Sequence, residues 1–232
     1  MNDFLIELEG VSFAYAEGRQ VLAGADFALG PGERVGLIGA NGCGKTTLLH
    51  LIVGLMPWAH GEIRAFGKGR RTEADFAEVR RRAGLLFQDP EDQLFCPTVA
   101  EDVAFGPLNL GNTPDQARAV VAETLHSLGL QGYEDRITYK LSGGEKRLVS
   151  LATVLAMKPE VLLLDEPASG LDEETEARIT AILADLPLAM IVVSHDREFL
   201  KKIVTRAVCL RDGSLHPFSL DTLAMQGAPE SC

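Results

Sequence analysis

The sequence predicts an α/β fold built on a mostly parallel sheet. Three observations carry that prediction. Short apolar segments alternate with longer amphipathic ones, the order that lays helices over a parallel sheet. One segment, Val161 to Leu164, is apolar at every position, as a strand covered on both faces requires. Another, Arg34 to Ile38, runs into a glycine-rich turn at Gly39 to Gly44 and then into helical spacing.

The elements follow in order. Phe4 to Leu8 and Val21 to Leu29 alternate partially and read as strands, with Arg34 to Ile38 as a third. Thr46 to Leu55 continues as a helix with Leu48, Leu49, Leu51 and Ile52 available for burial. Gly61 to Phe66 reads as an edge hairpin, Arg70 to Arg82 as a charged surface helix or loop, and Gly84 to Phe87 as a strand. Thr98 and Glu101 fit a capping box, in which hydroxyl and carboxylate satisfy free amides at a helix start. Pro114 to Leu130 and Ser142 to Ala156 have helical spacing. After Val161 to Leu164 come a helix from Asp172 to Leu186, a strand from Met190 to Val193 and a helix from Arg197 to Ile203. Ala207 to Leu210 and Ser214 to Phe218 pair as a hairpin across Asp212-Gly213, a strong turn signal. The residues after Leu220 read as a loose tail.

Composition narrows the function. At ~150 residues per domain, a chain of 232 residues favours one large domain. Asp and Glu number 33 against 22 Lys and Arg, a formal net charge of -11. That balance argues against nucleic acid, and against an anionic membrane surface bound unaided. The cysteines, at 43, 96, 209 and 232, form no CxxC pair. They indicate neither a zinc site nor a disulfide framework, and a reducing cytoplasm is the plain reading. The N-terminus carries Asp3, Glu7 and Glu9 and lacks the basic region of a signal peptide. No apolar run reaches the ~18 residues of a membrane span.

The chemistry begins at Gly39-Ala40-Asn41-Gly42-Cys43-Gly44-Lys45-Thr46, which matches GxxxxGK[ST] and is followed by Thr47. Glycines let backbone amides turn inward around phosphates, and the helix that follows aims its positive end at the same anion. Lys45 can reach the β- and γ-phosphates, and the Thr46 hydroxyl can ligate magnesium. A second feature is the apolar strand ending in Asp165 and Glu166. Adjacent acids suit a strand end that opens onto a site. Asp165 can hold magnesium, and Glu166 can polarise a water for attack on phosphorus. A third is Leu141-Ser142-Gly143-Gly144-Glu145. Ser142 is a natural N-cap and Glu145 completes a capping box, so this is either a second anion-accepting helix start or simply a well-capped helix.

Together these residues resemble the ATP-binding subunit of an ABC transporter. Residues 39–46 resemble Walker A, 141–145 the signature motif, and 161–166 Walker B. Ser169-Gly-Leu-Asp172 resembles the D-loop, His195 the switch histidine, and Gln88 the Q-loop glutamine. Tyr15 sits where an adenine-stacking aromatic is expected, although a packed strand-end tyrosine is the alternative. The fold implied is an α/β P-loop NTPase core with an N-terminal antiparallel β subdomain and a helical signature subdomain. The domain would span 1–220, with the helical part inserted at roughly 89–157 and a tail at 221–232. Around Gln88, the run Phe87 to Phe95, then Pro97-Thr-Val and Glu101 to Pro107, is similar to energy-coupling-factor ATPases, which drive uptake of cobalt, nickel or vitamins.

The resemblance implies ATP and Mg2+ as cofactors. Tyr15 and Gly39 through Thr47 would bind ATP, and Thr46, Gln88 and Asp165 would hold the metal. Glu166 and His195 would be catalytic. Ser142, Gly143, Gly144 and Glu145 would act on the ATP of a second ATPase subunit in a head-to-tail homodimer, with Asp172 at that interface. Integral membrane subunits would dock around Gln88 to Phe105 and hold the chain at the cytoplasmic face. The absence of a longer C-terminal part leans toward a metal-type importer. The alternatives are a vitamin or other ABC importer and a non-transport ABC ATPase. Glu145 stands where glutamine is commoner, which the capping box tolerates. Cys43 is expected to be thiol-reactive and protected by ATP. The acids Asp89, Glu91, Asp92, Glu101 and Asp102 are expected to cluster on the coupling surface, opposed by Arg70, Arg71, Arg80, Arg81 and Arg82.

Overall fold

The computed structural model describes residues 4–58 and 60–220. The expected tail at 221–232 lies outside them. Strands β1 (Ile6–Ala14), β2 (Gln20–Leu29), β4 (His60–Ala65) and β5 (Lys68–Arg70) form an antiparallel sheet in the order β2-β1-β4-β5. Strands β3 (Arg34–Ile38), β6 (Ala83–Leu86), β7 (Val161–Asp165), β8 (Ala189–Val193), β9 (Arg206–Arg211) and β10 (Ser214–Phe218) form the second sheet, ordered β10-β9-β3-β8-β7-β6. Within it only the β9–β10 pair is antiparallel.

The parallel strands are apolar on both faces because each face has its own core. Leu162 and Leu164 of β7 join one cluster, and Val161 and Leu163 the other. Met190 and Val192 of β8 likewise oppose Ile191 and Val193. One cluster includes the antiparallel sheet, α1 (Lys45–Ile52) and α2 (Glu73–Arg82). The other includes α3 (Val99–Asn109), α4 (Pro114–Ser127), α5 (Gly143–Leu155), α6 (Glu173–Asp185) and α7 (Arg197–Ile203). The helices α3, α4 and α5 all lie between β6 and β7.

Several elements differ from expectation for local reasons. The first strand continues to Ala14 instead of ending at Leu8, through register shifts between Leu8 and Val11. Gly10 takes a φ of 59° in that bulge, and its N–H donates to Asp26 Oδ1 at 2.7 Å. Helix α1 stops at Ile52, before Gly54 at φ 71°. A side chain at Gly54 would meet the Phe76 ring at 2.1 Å, so the close approach requires glycine. Strand β4 is paired on both sides, and the edge is β5 instead. Residues 73–82 are helix, started by a Thr72–Asp75 capping box.

Three of the five arginines are paired with other groups, although Arg80 also lines one groove with Asp92 and Asp102. Arg70 is buried, donating to Ala65 O and to Glu78 Oε2 at 2.6 Å. Arg82 pairs with Glu160 at 2.6 Å, and Arg80 with Glu73. Asp102 is buried too, not a surface charge. Its Oδ1 accepts the N–H groups of Phe95 at 3.0 Å and Cys96 at 2.9 Å, and its Oδ2 accepts the Thr138 hydroxyl. Burial, aided by Asp102, pushes the Cys96 thiol pKa up to about 11. Cys43 and Cys96 are free.

Candidate nucleotide site

The site forms where β3, β7 and β8 end, the usual crevice of a parallel α/β sheet. The turn after β3 depends on its glycines. Gly39 has φ 149° and Gly44 φ 114°, and a Cβ on Gly44 would meet Val21 Cγ1 at 2.1 Å. Helix α1 then begins at Gly44 with no side-chain cap. The first amide to find a helical acceptor is that of Leu48, which donates to Gly44 O. The amides of Lys45, Thr46 and Thr47 therefore point out of the helix end, where an anion is favoured. Lys45 Nζ donates to Gly39 O at 2.8 Å and Ala40 O at 3.1 Å, arching over the loop.

One cleft of about 240 Å3 is lined by Tyr15, Gly42, Gly44, Lys45, Thr46 and Thr47, with Arg19 and Val21. The Tyr15 hydroxyl lies 2.9 Å from Thr47 Oγ1, and its ring packs edge-on against Phe13. Packing and exposure coexist there, since Tyr15 is 39% exposed. Arg19 was not singled out by sequence reasoning. Its guanidinium donates to Gly42 O, and no motif marks it.

Thr46 Oγ1 donates to Asp165 Oδ2 at 2.6 Å across 119 residues. Asp165 is buried, and burial raises its pKa against the Thr46 hydrogen bond and the charges of His50, Lys45 and Arg147. His50, one turn along α1 from Thr46, has its pKa lowered by burial, with Asp165 opposing. A desolvated carboxylate beside a hydroxyl is a hard-oxygen donor set of the kind magnesium takes. The residues present thus fit a magnesium ion, which Thr46 and Asp165 would hold.

Glu166 turns the other way. Its φ is 49°, a left-handed conformation uncommon outside glycine. Its N–H donates to Val193 O at 2.9 Å, which fixes the turn against β8. The carboxylate then reaches His195, with Oε2 2.9 Å from Nδ1. Adjacent acids on one strand end are thus sent to different partners. Gln88 follows β6, and with Asp89, Pro90, Asp92, Arg147 and Ser169 it lines another cleft. Arg147 and Gln93, which hold this segment, were also not singled out.

The signature residues stand apart from the phosphate loop. Ser142 caps α5 and Glu145 returns the bond, with Glu145 Oε2 accepting the Ser142 N–H at 2.8 Å. Glu145 Oε1 accepts from Tyr133 Oη at 2.8 Å and Arg136 Nη1 at 2.9 Å. These bonds lower the Glu145 pKa, the Ser142 amide first among them and Tyr133 next. Gly143 faces open space, and a Cβ on Gly144 would lie 3.0 Å from Thr175. Asp172 caps α6 through the Thr175 N–H at 2.9 Å, so the expected D-loop abuts the signature turn.

Comparison with known proteins agrees with this geometry. The ABC transporter family profile matches residues 22–169. A putative ABC transporter ATP-binding protein of Brucella suis biovar 1 is 56% identical over 216 residues, 93% of this chain and 90% of the relative. An energy-coupling factor transporter ATP-binding protein, EcfA, of Methanothermobacter thermautotrophicus is 43% identical, covering 91% of this chain and 69% of that one. Among solved structures, cbiO1 from Clostridium perfringens, part of the ABC transporter complex cbiONQ, superposes with a TM-score of 0.82 at 30% identity. That match covers 92% of this chain and 87% of cbiO1. The chain belongs to the ABC transporter family, as an ATP-binding subunit with the ABC ATPase fold that hydrolyses ATP for transport.

Proposed function

We propose that the chain is the ATPase of an energy-coupling-factor importer that powers uptake of a transition-metal ion, cobalt or nickel, through integral membrane subunits. The similarity to EcfA and to cbiO1 supports this reading. So does the segment from Gln88 to Phe105. It walls an apolar groove of about 270 Å3, lined by Leu55, Leu85, Phe87, Gln93, Phe95 and Phe105 among others. This groove is the observation that carries the coupling role. Phe95 and Phe105 stand 64% and 48% exposed at its lip, stacked edge to face at 4.9 Å. Exposed aromatics beside an apolar cleft suit an anchor from a membrane subunit. Among the described residues no helix is long and apolar enough to cross a membrane. The chain would sit at the cytoplasmic face, held by its partners.

In the proposed mechanism ATP lies between the phosphate loop of one copy and the signature turn of another. The amides of Lys45 to Thr47 bind phosphate oxygens, and Lys45 exchanges its loop carbonyls for the β- and γ-phosphates. Thr46, Asp165 and Gln88 would hold magnesium, which would supply charge neutralisation for the phosphoryl group. Glu166 orients the attacking water and takes its proton, and His195 keeps the carboxylate in place. Gly143 and Gly144 present amides from the opposing copy, with Asp172 at the seam.

Glu166→Gln tests the ATPase half. The variant binds Mg-ATP and accumulates as a dimer on size exclusion, while turnover falls about 100-fold or more. A monomer under saturating Mg-ATP refutes the sandwich arrangement. Uptake tests the substrate half. Co-expression with its co-purifying membrane proteins gives ATPase-dependent accumulation of cobalt or nickel; accumulation of a vitamin instead assigns the other importer class.

A further inference from the structure

Residues Phe87 to Asp89 belong to no strand or helix. Their backbone polar groups must therefore be satisfied from elsewhere. The Asp89 carbonyl accepts the Asp92 N–H at 3.1 Å, and the Phe87 and Gln88 carbonyls are satisfied from α5. Arg147 Nη1 donates to Phe87 O at 2.7 Å, and Arg147 Nη2 donates to Gln88 O. The Phe87 N–H donates to Gln93 Oε1 at 3.2 Å. Gln93 is itself anchored on α5, its Nε2 donating to Ser150 O at 2.8 Å and Thr153 Oγ1 at 2.7 Å.

Arg147 is an expensive way to satisfy carbonyls. It is 3% exposed, its Nε has no partner, and none of its hydrogen bonds goes to a carboxylate. An apolar side chain of similar volume is often at least as stable in such a place. What the guanidinium adds is a planar fork that grips both carbonyls at once. Burial lowers the Arg147 pKa, and the nearby acids Asp89, Asp165 and Glu166 oppose that shift. Gln93 adds a second property, because it lines the groove beneath Phe95 and Phe105.

We propose that Arg147 and Gln93 are positioning residues that tie the Gln88 segment to the signature helix, so that Gln88 reaches the magnesium side of the site only as α5 carries it there. The proposal rests on reading Gln88 as a magnesium-side residue.

The experiment uses the full chain and two readouts. One is amide hydrogen exchange across residues 84–93 without nucleotide. The other is the Mg2+ concentration for half-maximal ATPase, with binding of a fluorescent ATP analogue in EDTA as reference. In Arg147→Met, exchange at Phe87 to Asp89 rises about tenfold or more while β7 and β8 keep their protection. The Mg2+ midpoint rises about fivefold or more, and analogue binding stays within about twofold, as expected for loss of positioning rather than of uniform binding. Arg147→Lys falls between, since an ammonium lacks the fork. Gln93→Leu shifts both readouts in the same direction, and it carries the test with Arg147→Lys if Arg147→Met does not fold. Unchanged exchange, uniform acceleration through β7 and β8, or an unmoved Mg2+ midpoint in these variants overturns the proposal. Gln88→Ala separates the two readings. It must itself raise the Mg2+ midpoint; if it does not, the metal reading of Gln88 fails, and the exchange data still judge the clamp.

Discussion

Helices α1 and α5 both begin at a glycine-rich turn, yet they treat their first amides differently. Helix α1 starts at a left-handed Gly44 with no side-chain cap, and its nearest buried acid, Asp165, has a pKa raised by burial. Helix α5 starts at Ser142 in a closed capping box, and its acid, Glu145, has a pKa lowered by the amide and side chains it accepts from. One helix start leaves donors and a carboxylate in want of a ligand. The other is electrostatically complete within the chain and leaves only the Gly143 and Gly144 amides for an outside anion. The difference teaches which end binds in cis. The α1 end gains most from a phosphate and a cation, while the α5 end stays folded without either.

Lys45→Ala attacks the α1 end and has the largest expected effect. ATP affinity falls about 100-fold or more, roughly 2.7 kcal/mol. Folding is little changed, because Lys45 bonds only its own loop. Titration with a fluorescent ATP analogue reads the loss. Unchanged affinity would remove phosphate binding from this loop and erase the contrast with α5.

Asp165→Asn sharpens the same contrast with a smaller effect of opposite sign. Because the folded-state pKa of Asp165 is raised, the native protein holds a proton more tightly than the unfolded chain. Stability is then lost as pH rises through the window from 3.8 up to the folded value. At neutral pH the ionised carboxylate is a burden on the fold in the absence of a cation. The asparagine variant melts roughly 2–4 °C higher at pH 7, as ~1 kcal/mol does in a domain of this size. It also loses Mg2+-dependent ATPase. A lower melting temperature would mean that the carboxylate is satisfied by Thr46 alone.

The two ends also differ in how well the sequence reveals them. The phosphate loop is legible because its chemistry is local. Glycines, Lys45 and Thr46 lie within eight residues and act through their own backbone. The Ser142–Glu145 box is legible for the same reason. That Thr46 and Asp165 would share a metal site followed from their motifs, whereas the contact of Glu166 with His195 was not anticipated. The parts that escaped depend on distant atoms. Arg147 grips carbonyls 59 and 60 residues away, and Gln93 reaches Ser150 across 57. A charged residue in the run Arg147-Leu-Val-Ser150 reads as solvent-facing, because periodicity cannot show what an exposed-looking side chain will meet. Asp102 misled in the same way, since its amide partners at Phe95 and Cys96 precede it on a loop that folds back.

Glu145→Gln tests the α5 end and has the smallest expected effect. A glutamine completes a capping box as a glutamate does, so at pH 7 stability changes by about 0.5 kcal/mol or less. The signature lies outside the cis cleft, so ATP binding by the isolated chain should not move. The pH profile is where the two residues part. The Glu145 pKa is lowered below 4.5, so its contribution is complete above that value and is lost as pH falls through the folded one. The variant lacks that ionisation. Its melting temperature falls less steeply than that of the wild type below pH 4.5, so the small deficit at neutral pH closes as the wild-type carboxylate is protonated. Parallel curves would place the acid sensitivity elsewhere and leave Glu145 an ordinary surface carboxylate. A variant that also lost cis ATP affinity would break the contrast altogether, because the α5 start would then belong to the same site as α1.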